Sequence, residues 1–317
     1  MTEFDYAPLP TEEQLLKLAS EWAPGSVVTH ERRIEGGLGC TMDVVSGGDG
    51  EGSAVRAVLR RYGPWGNPSD DHPAPVEAHV LALAERHGVP VPHLLWVDSH
   101  GVFEEPAVLI SYIDGTPVTK PPKLSDWADQ LAAAAARIHS VPLSDVDYEA
   151  IEMARPGSND DGKTIPDELA PHPLGPQLWE QILQRRARLV PEESCLLHAD
   201  FWPGNTLWRD GGLVAVVDWE HPLIGDPALD VAYAAMDMRY VGLGEAADRF
   251  VATYREMTGR LLPNLGYWTA IALARPMPDI ARWHPSFVAF GHDLSADDLR
   301  DRHAHLIQRE LLVERAS

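Results

Sequence analysis

Cysteine is almost missing from this chain: Cys40 and Cys195 are the only two, far apart and without pattern. That excludes a disulfide framework and a cysteine-rich zinc site, and a reducing cytoplasm is the expected compartment. Cationic side chains are scarce too. Lys and Arg total 26 against 48 Asp and Glu, a net charge of −22. Nucleic-acid binding is driven by cations that neutralise phosphates, so this balance disfavours it. No apolar run approaches the roughly eighteen residues of a membrane span. The segment Met1-Thr2-Glu3-Phe4-Asp5 is acidic and lacks the basic-then-apolar layout of a secretory leader. No internal repeat is found. What remains is a globular composition, 44% hydrophobic and 23% charged over 317 residues, long enough for two lobes with a core each.

The segment Leu197 to Trp208 carries the chemistry. Asp200 stands two residues after His198, Asn205 five after Asp200, and Asp218 closes an apolar run thirteen after Asn205. Phosphoryl transfer from a nucleotide asks little covalent work of a protein, so positioning and charge neutralisation dominate. Asp200 is the candidate to orient an acceptor hydroxyl and take its proton. Asn205 offers a neutral oxygen and Asp218 a charged one, a donor pair that suits Mg²⁺. His198 is expected to brace the loop rather than to ligate metal. Locally, Ser194-Cys195-Leu196-Leu197 leads into the loop and Pro203-Gly204 supplies turn chemistry. Asn205-Thr206-Leu207-Trp208 reads as a strand, Asp210-Gly211-Gly212 as its turn, and Leu213 to Val217 as the return strand.

These residues carry a resemblance. The stretch is similar to the aminoglycoside phosphotransferase and choline-kinase-like group, which resembles the protein kinases in fold. That group's loop reads H-G-D-x-x-x-x-N and its metal strand ends in I-D-W; here Ala199 stands at the glycine. Gly225-Asp226-Pro227 and Asp230 resemble its G-D-P-x-x-D signature, which implies that Asp226 braces the catalytic loop. The likeness is strong over about residues 194–240, weaker from 30 to 140 and faint after 245. Ala57-Val58-Leu59-Arg60 resembles the kinase V-A-I-K strand with Arg60 at the lysine, Arg56 and Arg61 remaining alternatives, and the resemblance makes Glu77 the partner of Arg60. In Glu35 to Thr41, Gly37 and Gly39 would cover nucleotide phosphates with backbone N–H groups. Ala107 to Ile113 resembles the hinge strand, whose main chain near Ser111 and Ile113 would receive adenine.

The expected fold class is α+β: a two-lobed protein-kinase-like fold with a small antiparallel-sheet lobe over 1–110 and a larger, mainly helical lobe over 111–317. The nucleotide would lie between them, and 152–176 would be a mobile insert. Thr11 opens a helix through Trp22 by a capping box with Gln14. Pro75 opens another, Ser125 caps a helix from Asp126 to His139, and helices are expected over Gln177–Val190, Ala228–Met238, Gly244–Thr258 and Trp268–Ala274. Trp283 to Asp293 reads as irregular, and Ser295 starts a last helix. The expected cofactors are ATP or GTP with Mg²⁺. The reaction is O-phosphorylation of a small-molecule alcohol, with no nucleic-acid or membrane partner and the oligomeric state open. The resemblance makes an aminoglycoside-like antibiotic the leading acceptor. Alternatives are a macrolide, an amino alcohol or a sugar, or a catalytically inactive nucleotide-binding scaffold. Asp279, Asp293, Asp297, Asp298 and Asp301 would either bind ammonium groups or simply belong to the last helix.

Overall fold

Helix α1 (Glu12–Trp22) begins where the sequence places it. The Thr11 hydroxyl accepts the Gln14 N–H, and the Gln14 side chain accepts the Thr11 N–H in return. The structure is a computed structural model, and it describes residues 7–34, 40–48, 54–63, 73–153 and 164–313. The chain divides into two compact units, Met1–Gly115 with Val214–Pro222, and Thr116–Leu213 with Leu223–Ser317.

In the first unit, β1 (Thr29–Ile34), β2 (Thr41–Gly48) and β3 (Ala54–Arg61) are followed by α2 (Pro73–Arg86), β4 (Leu94–Val97) and β5 (Ala107–Ser111). The five strands form one antiparallel sheet in the order β1-β2-β3-β5-β4. Strand alternation sorts the side chains of β3. Ala57 and Leu59 face a core built with Leu18, Val45, Phe103 and Leu109, while Arg60 faces the other way. Helix α2 starts two residues before the expected Pro75.

In the second unit, β6 (Thr116–Pro117), α3 (Leu124–Ile138), α4 (Asp145–Ala150), β7 (Glu152–Met153) and α5 (Gly175–Arg186) precede β8 (Cys195–Leu197). A 3-10 turn at Pro203–Asn205 leads to β9 (Thr206–Arg209), and β10 (Gly212–Val216) carries the chain into the first unit. After β11 (Leu223–Gly225) come α6 (Ala228–Tyr240), α7 (Gly244–Thr258), α8 (Leu265–Ala274), a 3-10 turn at Ile280–Trp283, α9 (His284–Ala289) and α10 (Ala296–Val313). Helix α3 packs on α7, and α6 packs on both α7 and α8. β11 pairs with β8 antiparallel and β7 parallel, and β6 pairs with β9.

Two expectations change. Ser125 is not the cap of α3: Lys123 holds that position, and the Ser125 hydroxyl bonds Asp126 inside the first turn. The stretch Trp283 to Asp293 is not irregular throughout, since Pro285 sits in the first turn of α9. Of the segment 152–176, residues 154–163 lie outside the described residues. From residue 164 it is a series of turns, with Leu169 bonded to Pro166 and Gly175 to His172. No helix among the described residues is long and apolar enough to cross a membrane.

Candidate active site

In the first unit, Arg60 is buried and gathers carboxylates. Its Nε donates to Glu77 Oε2 at 3.1 Å and to the Tyr62 hydroxyl at 3.1 Å. Its Nη2 donates to Asp218 Oδ1 at 2.8 Å and to Glu220 Oε2 at 3.4 Å. The alternatives on the strand are engaged elsewhere. Arg61 bonds the buried Asp43 on the opposite face, and Arg56 bonds Glu31. Burial pushes the Glu77 carboxyl up to about 7, against the pull of the Arg60 charge. Asp218 follows β10 at φ 71° with its side chain about one-third exposed. An aspartate tolerates this left-handed backbone better than a β-branched residue would.

Farther along the same unit, the Ser111 N–H is used within the sheet, donating to the His93 carbonyl at 2.8 Å. The Tyr112 N–H donates to Arg56. The backbone N–H and carbonyl of Ile113 take no hydrogen bond among the described residues. Gly37 and Gly39 lie outside the described residues.

In the second unit the loop after β8 holds Asp200 and Asn205 together. Asn205 Nδ2 donates to the Asp200 carbonyl and to Asp200 Oδ2, both at 3.0 Å, which leaves its amide oxygen as a free donor to a cation. The Asp200 side chain is 42% exposed, and its Oδ1 accepts Arg275 Nη2 at 2.7 Å. The loop is fastened from beneath by Asp230, which is fully buried. Its carboxylate accepts the N–H groups of His198 and Ala199, each at 2.8 Å. Its Oδ2 lies 3.1 Å from His139 Nε2, and His139 Nδ1 lies 2.8 Å from the Tyr254 hydroxyl. The His198 ring is buried edge-on to Phe201.

Among the described residues Asp226 makes no hydrogen bond to the loop that presents Asp200, contrary to what the resemblance implied. It accepts the Ala228 N–H at the start of α6, along with Asn264 Nδ2 and Trp268 Nε1. Sequence reasoning also missed Arg275 and Asp237. Asp237 is 8% exposed on α6, and burial pushes its carboxyl up to about 7 while Arg275, 3.9 Å away, opposes the shift. The signal was present: Asp237 stands between Met236 and Met238 in a mostly apolar helix, and a buried carboxylate calls for a cation.

The oxygen donors fit a hard divalent ion. Among the described residues no group of three or more His, Cys, Asp or Glu side chains could hold a metal alone. Mg²⁺ needs no such cage, because it takes one or two protein oxygens together with substrate phosphates and water.

The profile of the phosphotransferase enzyme family matches residues 33–268. Among solved structures, the chain is similar to macrolide 2'-phosphotransferase MphH from Brachybacterium faecium, at 23% identity over 93% of this chain and 98% of that one, TM-score 0.59. It is similar to spectinomycin phosphotransferase APH(9)-Ia, solved with ADP and spectinomycin, at 11% identity over 95% and 98%, TM-score 0.59. It is also similar to choline kinase from Cryptosporidium parvum Iowa II, at 16% identity over 96% and 97%, TM-score 0.59. At these identities the likeness is one of fold, the α+β protein-kinase-like fold of such phosphotransferases. With its profile matched over most of its length, the chain belongs to the phosphotransferase enzyme family and is an enzyme that transfers a phosphoryl group to an alcohol acceptor.

Proposed function

We propose that this chain is an ATP-dependent O-phosphotransferase of a small-molecule alcohol, with Asp200 as the residue that meets the acceptor hydroxyl. The observation that carries this is the Asp200 carboxylate, exposed yet held on both oxygens by Asn205 and Arg275. Each oxygen keeps a lone pair with which to accept the hydroxyl proton. Asn205 and Asp218 would hold Mg²⁺, which when bound neutralises charge on the transferring phosphates. Arg60, fixed by Glu77, is the cation of the nucleotide site, and the Ile113 backbone is the donor and acceptor for the base. The ADP bound in the spectinomycin phosphotransferase supports a nucleotide co-substrate.

Pairing of three of the five candidate aspartates, all but Asp293 and Asp301, bears on the acceptor class. Asp279 and Asp297 bond Arg300, and Asp298 caps α10 through Ser295. Asp200 and Asp237 share Arg275. These carboxylates are spoken for, which weakens the reading of a polycationic aminoglycoside. Beside Asp237, Trp202, Met238, Phe287 and Thr119 wall a small crevice of about 10 Å³. An acceptor with one positive charge or none suits these paired carboxylates better. The test is acceptor-dependent ADP release across macrolides, amino alcohols and aminoglycosides at equal concentration. Turnover confined to aminoglycosides would overturn the acceptor class, and silence across a broad alcohol panel would count against the kinase reading.

A further inference from the structure

We propose that Arg275 is a positioning residue for Asp200, and that its grip is divided between Asp200 and the buried Asp237. This deepens the reading above and rests on Asp200 being the residue that meets the hydroxyl. Arg275 sits at the C-terminal end of α8, where a cation would ordinarily serve the helix dipole and point to water. Here the guanidinium instead sits over the Tyr233 ring, its carbon 3.9 Å from the centroid, with Trp283 at 5.4 Å. Tyr233 and Asp237 are one turn apart on α6, so a single helix face presents both the ring and the carboxylate.

A planar fork held over an aromatic face and bonded to a carboxylate has few orientations left. It therefore passes a fixed direction to whatever carboxylate it holds. The Nη2 donates to Asp200 Oδ1 at 2.7 Å, and Nη1 lies 3.9 Å from Asp237 Oδ2. With Asn205 on the other oxygen, rotation of the Asp200 carboxylate is blocked from both sides. The divided grip adds a pH dependence. Asp237 faces Arg275 and Asp200, the Tyr240 phenol of its own helix, and His292 across the crevice. Its burial pushes the carboxyl up to about 7. Below that pH Arg275 has one anionic partner, Asp200. Above it there are two, and the hold on Asp200 is shared.

The test is hydrolysis of MgATP without added acceptor, where water takes the place of the alcohol. Wild type, R275K, R275M, D237N, D200N and D200N/R275M are compared from about pH 6 to 9. Misplacing a reacting group costs up to about a hundredfold. R275M should lower kcat by roughly ten- to a hundredfold with KM for ATP unchanged. R275K, whose ammonium cannot span two carboxylates, should recover only part of the loss. In the D200N background R275M should cost nothing further, because Arg275 acts through Asp200. D237N should remove the inflection of kcat near pH 7. A silent R275M beside an impaired D200N overturns this inference alone. So does an R275M loss as large in D200N as in wild type. A silent D200N overturns the assignment of Asp200 itself. If R275M does not fold, R275K and D237N still decide: wild-type kcat and an unchanged pH profile in both would refute the proposal.

Discussion

The carboxylate of Asp230 holds the backbone N–H of Ala199 at 2.8 Å, at a position where the chain turns through a left-handed φ of 63°. The same carboxylate holds the preceding N–H of His198, so one buried side chain fixes the loop that presents Asp200. Asp230→Ala would leave the buried His198 N–H and the half-buried Ala199 N–H without this acceptor. Each such group costs about 1–3 kcal/mol. The variant should lose at least about 2 kcal/mol in urea unfolding and lose turnover with it. Asp230→Asn, which keeps one acceptor oxygen, should lose less. A loss under about 0.5 kcal/mol for the alanine variant would mean the loop is held by other contacts.

Ala199 pays for its backbone. A non-glycine residue in the left-handed region costs about 1–2 kcal/mol, and glycine gives back part of that in chain entropy, about 0.5–1 kcal/mol. Ala199→Gly should therefore raise stability by up to about 1 kcal/mol. Turnover should be kept, because the loop already adopts the conformation glycine prefers. A clear fall in melting temperature would show that the Ala199 methyl packs usefully.

How far the site could be read beforehand depended on whether the determinants were local. The spacing of Asp200 and Asn205 was legible because the Pro203-Gly204 turn that closes it lies between them. Period-two alternation separated Arg60 from Arg61, but it took Glu77 and Asp43, on other elements, to say which arginine faces which acid. The Asp226 and Asp230 pair was misread for a geometric reason. Asp226 precedes α6 and caps its first turn, whereas Asp230 is inside the helix and one turn later points at the loop. Arg275 carried no motif. Its role appears only when the end of α8 is laid beside Tyr233 and Asp237.

Gly204 matters through space rather than dihedral freedom. A Cβ there would lie 2.2 Å from Cζ2 of Trp202. The indole would have to leave its edge contacts with Phe287 and Phe290. Gly204→Ala should thus raise the acceptor KM severalfold, shift tryptophan fluorescence and leave the KM for ATP largely unchanged. Unaltered fluorescence with normal kinetics would show that Trp202 has room to move.

Stability should vary with pH in two opposed limbs. Glu77 and Asp237 bind protons in the folded state up to about 7, against ordinary values of 4.5 and 3.8. Between those limits the folded state holds more protons than the unfolded one, so stability falls as pH rises toward about 7. His303, buried with its ring against the Leu273 carbonyl, is pushed down to about 4 from 6.5. There the unfolded state holds more protons, so its contribution is lost as pH falls from 6.5 toward 4. Asp237→Asn should flatten the first limb and His303→Gln the second, read as melting temperature against pH. An Asp237→Asn profile that superimposes on wild type would refute the burial argument.

The most direct measurement is the turnover of Asp200→Asn with the best acceptor, alongside ATP affinity by calorimetry. The substitution keeps shape and removes the charge that meets the hydroxyl. Positioning and proton acceptance together contribute about 10²–10⁴-fold in rate. Turnover should fall at least about a hundredfold while the Kd for MgATP stays within about threefold. A variant that keeps more than about a tenth of wild-type turnover would contradict the account.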